Sequence, residues 1–108
     1  MRNMMTALLL DKSMAEFAAS AAEAAGLLKA LANEKRLMIL CKLLEQGEMS
    51  VQPLSEDVGL SQSALSQHLA KMRQEKIVDF RRVGQTIYYR VSSPNVNRIL
   101  KTLKSIYC

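Results

Sequence analysis

Two thiols, one imidazole and a cluster of small polar side chains are the groups in this chain whose types could do chemistry. The thiols are Cys41 and Cys108, and the imidazole is His68. Neither cysteine belongs to a Cys-x-x-Cys pair, which argues against a structural zinc knuckle. A metal cage around His68 would need imidazole or thiolate partners, and the chain has no second histidine. No metal and no cofactor is expected. Enzyme chemistry finds no footing: there is no paired acid/base constellation, no Gly-rich phosphate loop and no nucleophile motif. A thiolate can attack an electrophilic sulfur, and a second thiol can then close a bridge. Taken alone, the cysteines also admit a plainer reading, with Cys41 a small core-face residue and Cys108 an idle tail thiol.

The polar cluster lies in LSQSALSQHLAKMR (Leu60–Arg73). Leu65, Leu69 and Met72 fall at helical spacing and form an inward stripe. Gln62, Ser63, Ser66, Gln67, Ala70 and Arg73 occupy the opposite face. Ser61 is a suitable N-cap for a helix over about Gln62 to Glu75. A short helix over about Val51 to Val58 precedes it, with Ser50 as cap, Pro53 in the first turn and Gly59 as stop. Two helices joined at Gly59-Leu60 match a helix-turn-helix, whose second helix enters the major groove. A groove-facing surface must be small and polar to present hydrogen bonds to base edges. Ser63, Ser66 and Gln67 meet that need. Ser61, Gln62 and the first-turn amides can hold a phosphate, and Lys71 and Arg73 lie where the DNA backbone would pass. His68 is either DNA-proximal or a rim residue between this helix and the core.

The period then changes from helix to strand. Val78 and Phe80 alternate with Asp79 and Arg81, and Ile87, Tyr89 and Val91 alternate with Tyr88 and Arg90. This predicts a two-stranded hairpin with its tip near Val83-Gly84-Gln85. Arg81 and Arg82 lead into the tip, Gln85 sits on it and Arg90 leaves it. A basic hairpin directly after a helix-turn-helix is a wing, able to reach the backbone or the minor groove.

Other helices must carry these parts. From about Ala15 to Leu31, Phe17, Ala21, Ala24, Leu28 and Leu31 make a narrow apolar stripe suited to pairing with another helix. Asn33 can cap a second helix to about Glu45, with Leu37, Leu40, Cys41 and Leu44 as its core face. Ser93-Pro94 opens the last helix, with Val96, Ile99, Leu100, Leu103, Ile106 and Tyr107 as its apolar face. The expected fold is mainly α: a winged helix-turn-helix of five helices plus a two-stranded wing, in one domain over residues 1–108.

Length and charge agree with this. The chain has 108 residues, 15 Lys and Arg against 10 Asp and Glu, and a formal net charge of +5. One compact domain fits and a large multi-domain enzyme does not. An apolar fraction of 49% makes a disordered chain the wrong class. The apolar run Met4 to Leu10 is short for a signal peptide and runs on into helical pattern, and nothing reaches membrane-span length. A cytoplasmic location is expected, where thiols are normally reduced.

ALANEKRLMIL (Ala30–Leu40), LSQSALSQHLAKMR and the Arg81–Arg90 wing together resemble the ArsR-type winged-helix repressors, from about Ala25 to the end. The resemblance implies a homodimer formed by the first and last helices (about 15–31 and 94–107), bound to a palindromic double-stranded operator. It also sets the metal question. The third-helix metal site of that family looks like Cys-x-Cys, whereas Val51–Asp57 has no cysteine. Its last-helix zinc site looks like Asp/His pairs, whereas Asn95–Tyr107 has no His, Asp or Glu.

Arg36-Leu37-Met38-Ile39-Leu40-Cys41 and Ile106-Tyr107-Cys108 are similar to the sulfide- and persulfide-responsive branch of the same family. By that resemblance Cys41 and Cys108 are a redox-sensing pair. Reactive sulfur species or another oxidant would join them by a disulfide or polysulfide within one subunit, and DNA would be released. Closing a loop this long removes about 4 kcal/mol of chain entropy in the entropic picture. A coupling of only ~1–3 kcal/mol already shifts affinity 5–150-fold. A carboxylate beside Cys108 would disfavour its thiolate, which points to Cys41 as the first nucleophile. The resemblance leaves two alternatives: a metal-sensing repressor with atypical ligands, and a regulator that displaces another DNA-binding protein.

Overall fold

Helix stops and caps divide the chain where local chemistry requires. In a computed structural model, which describes the backbone from Met4 and the side chains from Ser13, the elements run α1 (Met4–Leu31), α2 (Glu34–Gln46), β1 (Met49–Ser50), α3 (Val51–Val58), α4 (Gln62–Gln74), β2 (Val78–Val83), β3 (Thr86–Val91) and α5 (Pro94–Tyr107). Gly47 and Gly59 sit at φ 85° and 68°, in the left-handed region that lets a helix end without a Cβ clash. The Ser61 hydroxyl accepts from the Ala64 amide at 3.1 Å, and the Ser93 hydroxyl accepts from Val96 at 3.2 Å. Ser50 differs from the expectation. It stands at the N-cap position of α3, but its side chain makes no capping bond. Its backbone belongs instead to β1, paired with Tyr88.

The chain falls into two units, one ending at Asn33 and one spanning Glu34–Cys108. In the first, α1 starts nearer the N-terminus than the expected Ala15; the side chains of residues 4–12, which include the Met4–Leu10 run, lie outside the described part. Of the α1 stripe, Leu31 is buried, while Phe17, Ala21, Ala24 and Leu28 are exposed.

The second unit holds a shared core. Ile39, Leu40 and Leu43 of α2, Leu54 and Val58 of α3, Leu65, Leu69 and Met72 of α4, and Val96 and Leu100 of α5 are all buried. The core face of α2 is therefore rotated from the expected one. Leu40 is common to both, but Leu37, Cys41 and Leu44 are only half-buried. Ile39 and Leu43, fully buried, set the observed face; Arg36 lies on it at 7% exposure, and its guanidinium reaches the Glu75 carboxylate at 3.5 Å. That ion pair ties the first turn of α2 to the C-terminal end of α4.

The sheet is antiparallel and three-stranded, in the order β1-β3-β2, rather than the bare two-stranded hairpin expected. Met49 pairs with Tyr89 and Ser50 with Tyr88. The wing turns where its tip was expected: Val83 pairs with Thr86, so Gly84-Gln85 is a two-residue turn. Gly84 takes φ 62° at the first turn position, where a two-residue hairpin favours glycine.

Candidate nucleic-acid interface and thiol pair

The outward face of α4 carries Gln62, Ser63, Ser66, Gln67, Ala70, Lys71 and Arg73, all exposed. No acidic residue interrupts it. Ser61 and Ser63 face one another, hydroxyl to hydroxyl, at 3.3 Å. Because Ser61 takes up only the Ala64 amide, the amides of Gln62 and Ser63 remain at the helix entry, where helix geometry gives them no intrahelical acceptor. His68 is half-buried on the flank of the inward stripe, the rim position.

Ahead of α4, the Gly59 and Leu60 amides both return to the Ser55 carbonyl, the latter at 3.1 Å, which closes the turn tightly. At its far end the Ile77 amide donates to the Met72 carbonyl at 2.8 Å and the Lys76 amide to Arg73 at 3.0 Å. This is a Schellman turn, with Lys76 at φ 61° in the place glycine usually fills.

The wing separates its arginines by face. Cross-strand partners share a face, and neighbours along a strand alternate. Arg81 and Tyr88 are partners, as are Asp79 and Arg90. On that face the charges are matched within the molecule. Arg81 donates to both carboxylate oxygens of Glu48, the Nε bond at 2.9 Å, and its guanidinium lies 5.1 Å from the Tyr88 ring centre. The bond from Arg81 holds the Glu48 carboxyl below the usual carboxylate range. Arg90 stands 3.8 Å from Asp79.

Arg82 belongs to the other face, with Ile87, Phe80 and Tyr89. Phe80 and Tyr89 pack ring to ring at 5.6 Å, and Arg73 of α4 lies 4.1 Å over Phe80. Arg82 thus shares its face with Phe80, on which Arg73 of α4 stacks. It is exposed, and no ion-pair or ring partner holds it among the described residues. Gln85 is exposed at the tip. Of the five basic positions picked from the sequence, Lys71 and Arg82 are open, while Arg73, Arg81 and Arg90 have internal partners.

The thiols lie elsewhere, on α2 and at the end of α5. Cys41 is half-buried on α2, and Cys108 is exposed at the end of α5, its amide bonded to the Lys104 carbonyl at 2.9 Å. α2 and α5 pack against each other. Burial pushes the Cys41 thiol above its ordinary range; the neighbouring Cys108 adds to this, and the Lys104 cation opposes it. Cys108 and Lys104 therefore both act on the Cys41 thiol. Among the described residues no three His, Cys, Asp or Glu side chains gather as a metal would require, and no helix is long and apolar enough to cross a membrane.

Three residues of this arrangement were missed by the sequence reading. Glu48 clamps Arg81, Glu75 holds Arg36, and Lys104 stands by Cys41. Only Lys104 had a signal, since it lies four residues before Cys108 and so on the same side of a helix.

A short helix, a tight turn, an acid-free polar helix and a basic hairpin define a winged-helix DNA-binding protein. The chain belongs to the arsR family of bacterial regulatory proteins, whose pattern matches residues 33–79. It is 47% identical over 95 residues to the HTH-type transcriptional regulator YgaV of Escherichia coli (strain K12), covering 88% of this chain and 96% of that one. It is also 47% identical to the transcriptional activator HlyU of Vibrio cholerae, over 89% of this chain and 88% of that protein. The solved structure of reduced HlyU from Vibrio cholerae superposes with a TM-score of 0.81, at 48% identity, over 86% of this chain and 97% of that chain. The transcriptional repressor BigR from Xylella fastidiosa gives 0.78, at 37% identity, over 88% of this chain and 96% of that one. The chain is thus a DNA-binding transcriptional regulator and not an enzyme.

Proposed function

We propose that this regulator is a cytoplasmic homodimeric repressor that holds a palindromic double-stranded operator and releases it when reactive sulfur joins Cys41 to Cys108. The observation that carries this reading is the placement of the two thiols. They are far apart in sequence, yet they sit on two helices that pack together, and Cys108 contributes to the upward push on the Cys41 thiol. Reduction state is also a property recorded for a relative, the reduced HlyU.

On the DNA side, Ser63, Ser66 and Gln67 read base edges, with His68 at the rim of the contact. Ser61, Gln62 and Lys71 take phosphates, and Arg82 and Gln85 reach from the wing. Arg73, Arg81 and Arg90 position the wing, and contribute to the positive field around it. Dimer formation is supported by large apolar side chains left in solvent: Phe17 is 65% exposed and Tyr107 80%. A two-fold dimer spaces its recognition helices about 34–36 Å apart, one turn of DNA.

The bridge forms by two exchanges. Cys108, the exposed thiol, attacks the outer sulfur of a persulfide RS–SH as the thiolate. A new S–S bond forms on Cys108, the donor's S–S bond breaks, and RS⁻ leaves. Cys41 then attacks the Cys108 sulfur as its thiolate, and HS⁻ leaves. The two protein thiols are oxidised and the donor's S–S bond is reduced. A second donor molecule adding one more sulfur before closure gives a trisulfide instead. Burial of Cys41 supports the opposite order to the one the sequence suggested, with Cys41 as the resolving thiol. A bridge at Cys41 loads α2, and Arg36 on the same helix is tied to Glu75 at the end of α4. The load therefore has a direct route to the reading helix.

The test is operator affinity of the reduced and the persulfide-treated protein, with Cys41→Ser and Cys108→Ser beside them. Wild type should lose 5–150-fold, the order of a ~1–3 kcal/mol coupling, and both variants should stay bound. If both variants release DNA as wild type does, the thiols are not the sensor. The mass of the treated protein separates a disulfide from a trisulfide, one sulfur heavier. The activator HlyU supports a second reading for the sign of regulation, in which the same chemistry ends displacement of another DNA-binding protein.

A further inference from the structure

The last helix is the most one-sided element in charge. Arg98, Lys101 and Lys104 are its only ionic residues, it has no acid, and all three are exposed. None forms an ion pair among the described residues. The pattern is different on α2, where Lys42 stands 3.6 Å from Glu45 and 3.7 Å from Asp57.

Helical spacing fixes which side this charge occupies. The Cys108 amide bonds to the Lys104 carbonyl, so helical geometry persists to Cys108. At 100° per residue, Lys104 (four residues back) and Lys101 (seven back) flank Cys108 on one face. Val96 lies about 120° and Leu100 about 80° round the helix from Cys108, and both turn into the core. Ile106, the exposed apolar residue offered to a partner, is also turned away from the lysines. A dimer closed over Ile106 therefore leaves the lysine face in water.

The chemistry gives such a face a use. Thiol–disulfide exchange begins with a thiolate, which is an anion. When the sulfur donor is also an anion, the two repel at encounter and their charges gather in the transition state. Fixed cations beside the attacking sulfur offset both effects. For a neutral oxidant they offset nothing at encounter.

We propose that Lys101 and Lys104 are specificity-determining residues of the thiol pair, drawing negatively charged sulfane-sulfur donors to Cys108 ahead of neutral oxidants. This rests on the thiols' being the sensor. The donor class is an inorganic polysulfide dianion or an organic persulfide carrying carboxylates. With tetrasulfide, Cys108 thiolate attacks an internal sulfur. One S–S bond forms, one breaks, and S₂²⁻ leaves and takes up protons. Cys41 thiolate then displaces the remaining two sulfurs, again as S₂²⁻, and the disulfide is complete.

The experiment measures thiol-loss rates of the full-length protein with sodium tetrasulfide, glutathione persulfide, hydrogen peroxide and iodoacetamide. Iodoacetamide is neutral and corrects for any change in thiolate fraction. In Lys101→Gln/Lys104→Gln, two exposed changes that keep helix-forming side chains, the tetrasulfide rate relative to iodoacetamide should fall about tenfold at low salt. The peroxide ratio should hold. Lys101→Arg/Lys104→Arg should keep the wild-type ratio. Wild type should lose its advantage in ~1 M salt, where screening acts over about 3 Å. A fall with tetrasulfide alone assigns the inorganic donor, and a fall with glutathione persulfide includes the organic one. Unchanged ratios for both donors, in protein that still bridges and still releases DNA, overturn the lysine assignment alone. A lysine-dependent bridge that leaves DNA bound overturns the sensor reading and keeps the assignment.

Discussion

The wing and the last helix are both basic, and they handle their charge in opposite ways. On one face of the wing, Arg81 is held by Glu48 and Arg90 stands beside Asp79. On α5, Arg98, Lys101 and Lys104 have no ion-pair partner among the described residues. The hairpin looks like the electropositive part of the sequence, yet two of its three arginines are matched internally. The helix that looks like a plain dimerisation element carries three unmatched cations. A net charge of +5 therefore says that an anion is a fitting partner, but not where. Pairing decides which cations can meet a phosphate and which hold the scaffold that presents them.

The sharpest way to break this comparison is to remove the wing arginines one at a time and titrate with operator at several salt concentrations. Arg82→Gln should lower the salt slope by about 0.9, and affinity at 0.1 M salt by about eightfold, because one released counterion is lost. The loss should be uniform across DNA sequences, as for a backbone contact. Arg90→Gln should lower the slope by less than half as much, and Arg98→Gln should leave it unchanged. An equal loss at Arg82 and Arg90 would show that internal pairing does not decide the contact. The converse change is Glu48→Gln, which frees Arg81. The salt slope should then steepen by up to ~0.9, as a matched cation becomes an unmatched one. If it falls instead, Glu48 serves mainly to hold the wing upright.

Much of this was readable in the sequence, and the gaps share a physical cause. α3, β2 and the start of β3 follow from local signals, and the two-residue turn at Gly84-Gln85 dictates every cross-strand pair of the wing. The Asp79–Arg90 match was thus within reach of the sequence. The Glu48–Arg81 clamp was not. It depends on β1, two residues long, which is too short for any periodic signal and pairs with a strand far along the chain. The face of α2 was mis-set for a similar reason. Periodicity offers two overlapping apolar faces here, one through Leu37, Leu40 and Leu44 and one through Ile39, Leu40 and Leu43, and Arg36, which lies on the second, has its partner 39 positions away. Cys41 moved with it, from the core face to a half-buried site. The thiol pair itself was legible only through the motifs that flank each cysteine.

The smallest effect we expect lies between the two regions, at Lys76. It joins the reading helix to the wing in a left-handed conformation that costs a side chain energy and costs glycine little. Lys76→Gly relieves that strain but makes the unfolded chain more flexible, so the gain should be about 0.5–1 kcal/mol in urea unfolding. The change also removes an exposed cation. Lys76 lies some fifteen residues beyond Ser61, about 20 Å along α4 from the end we propose enters the groove. Operator affinity should therefore change less than twofold. A stabilised protein with much weaker binding would place this turn on the DNA, and would explain why a lysine stands where glycine fits better.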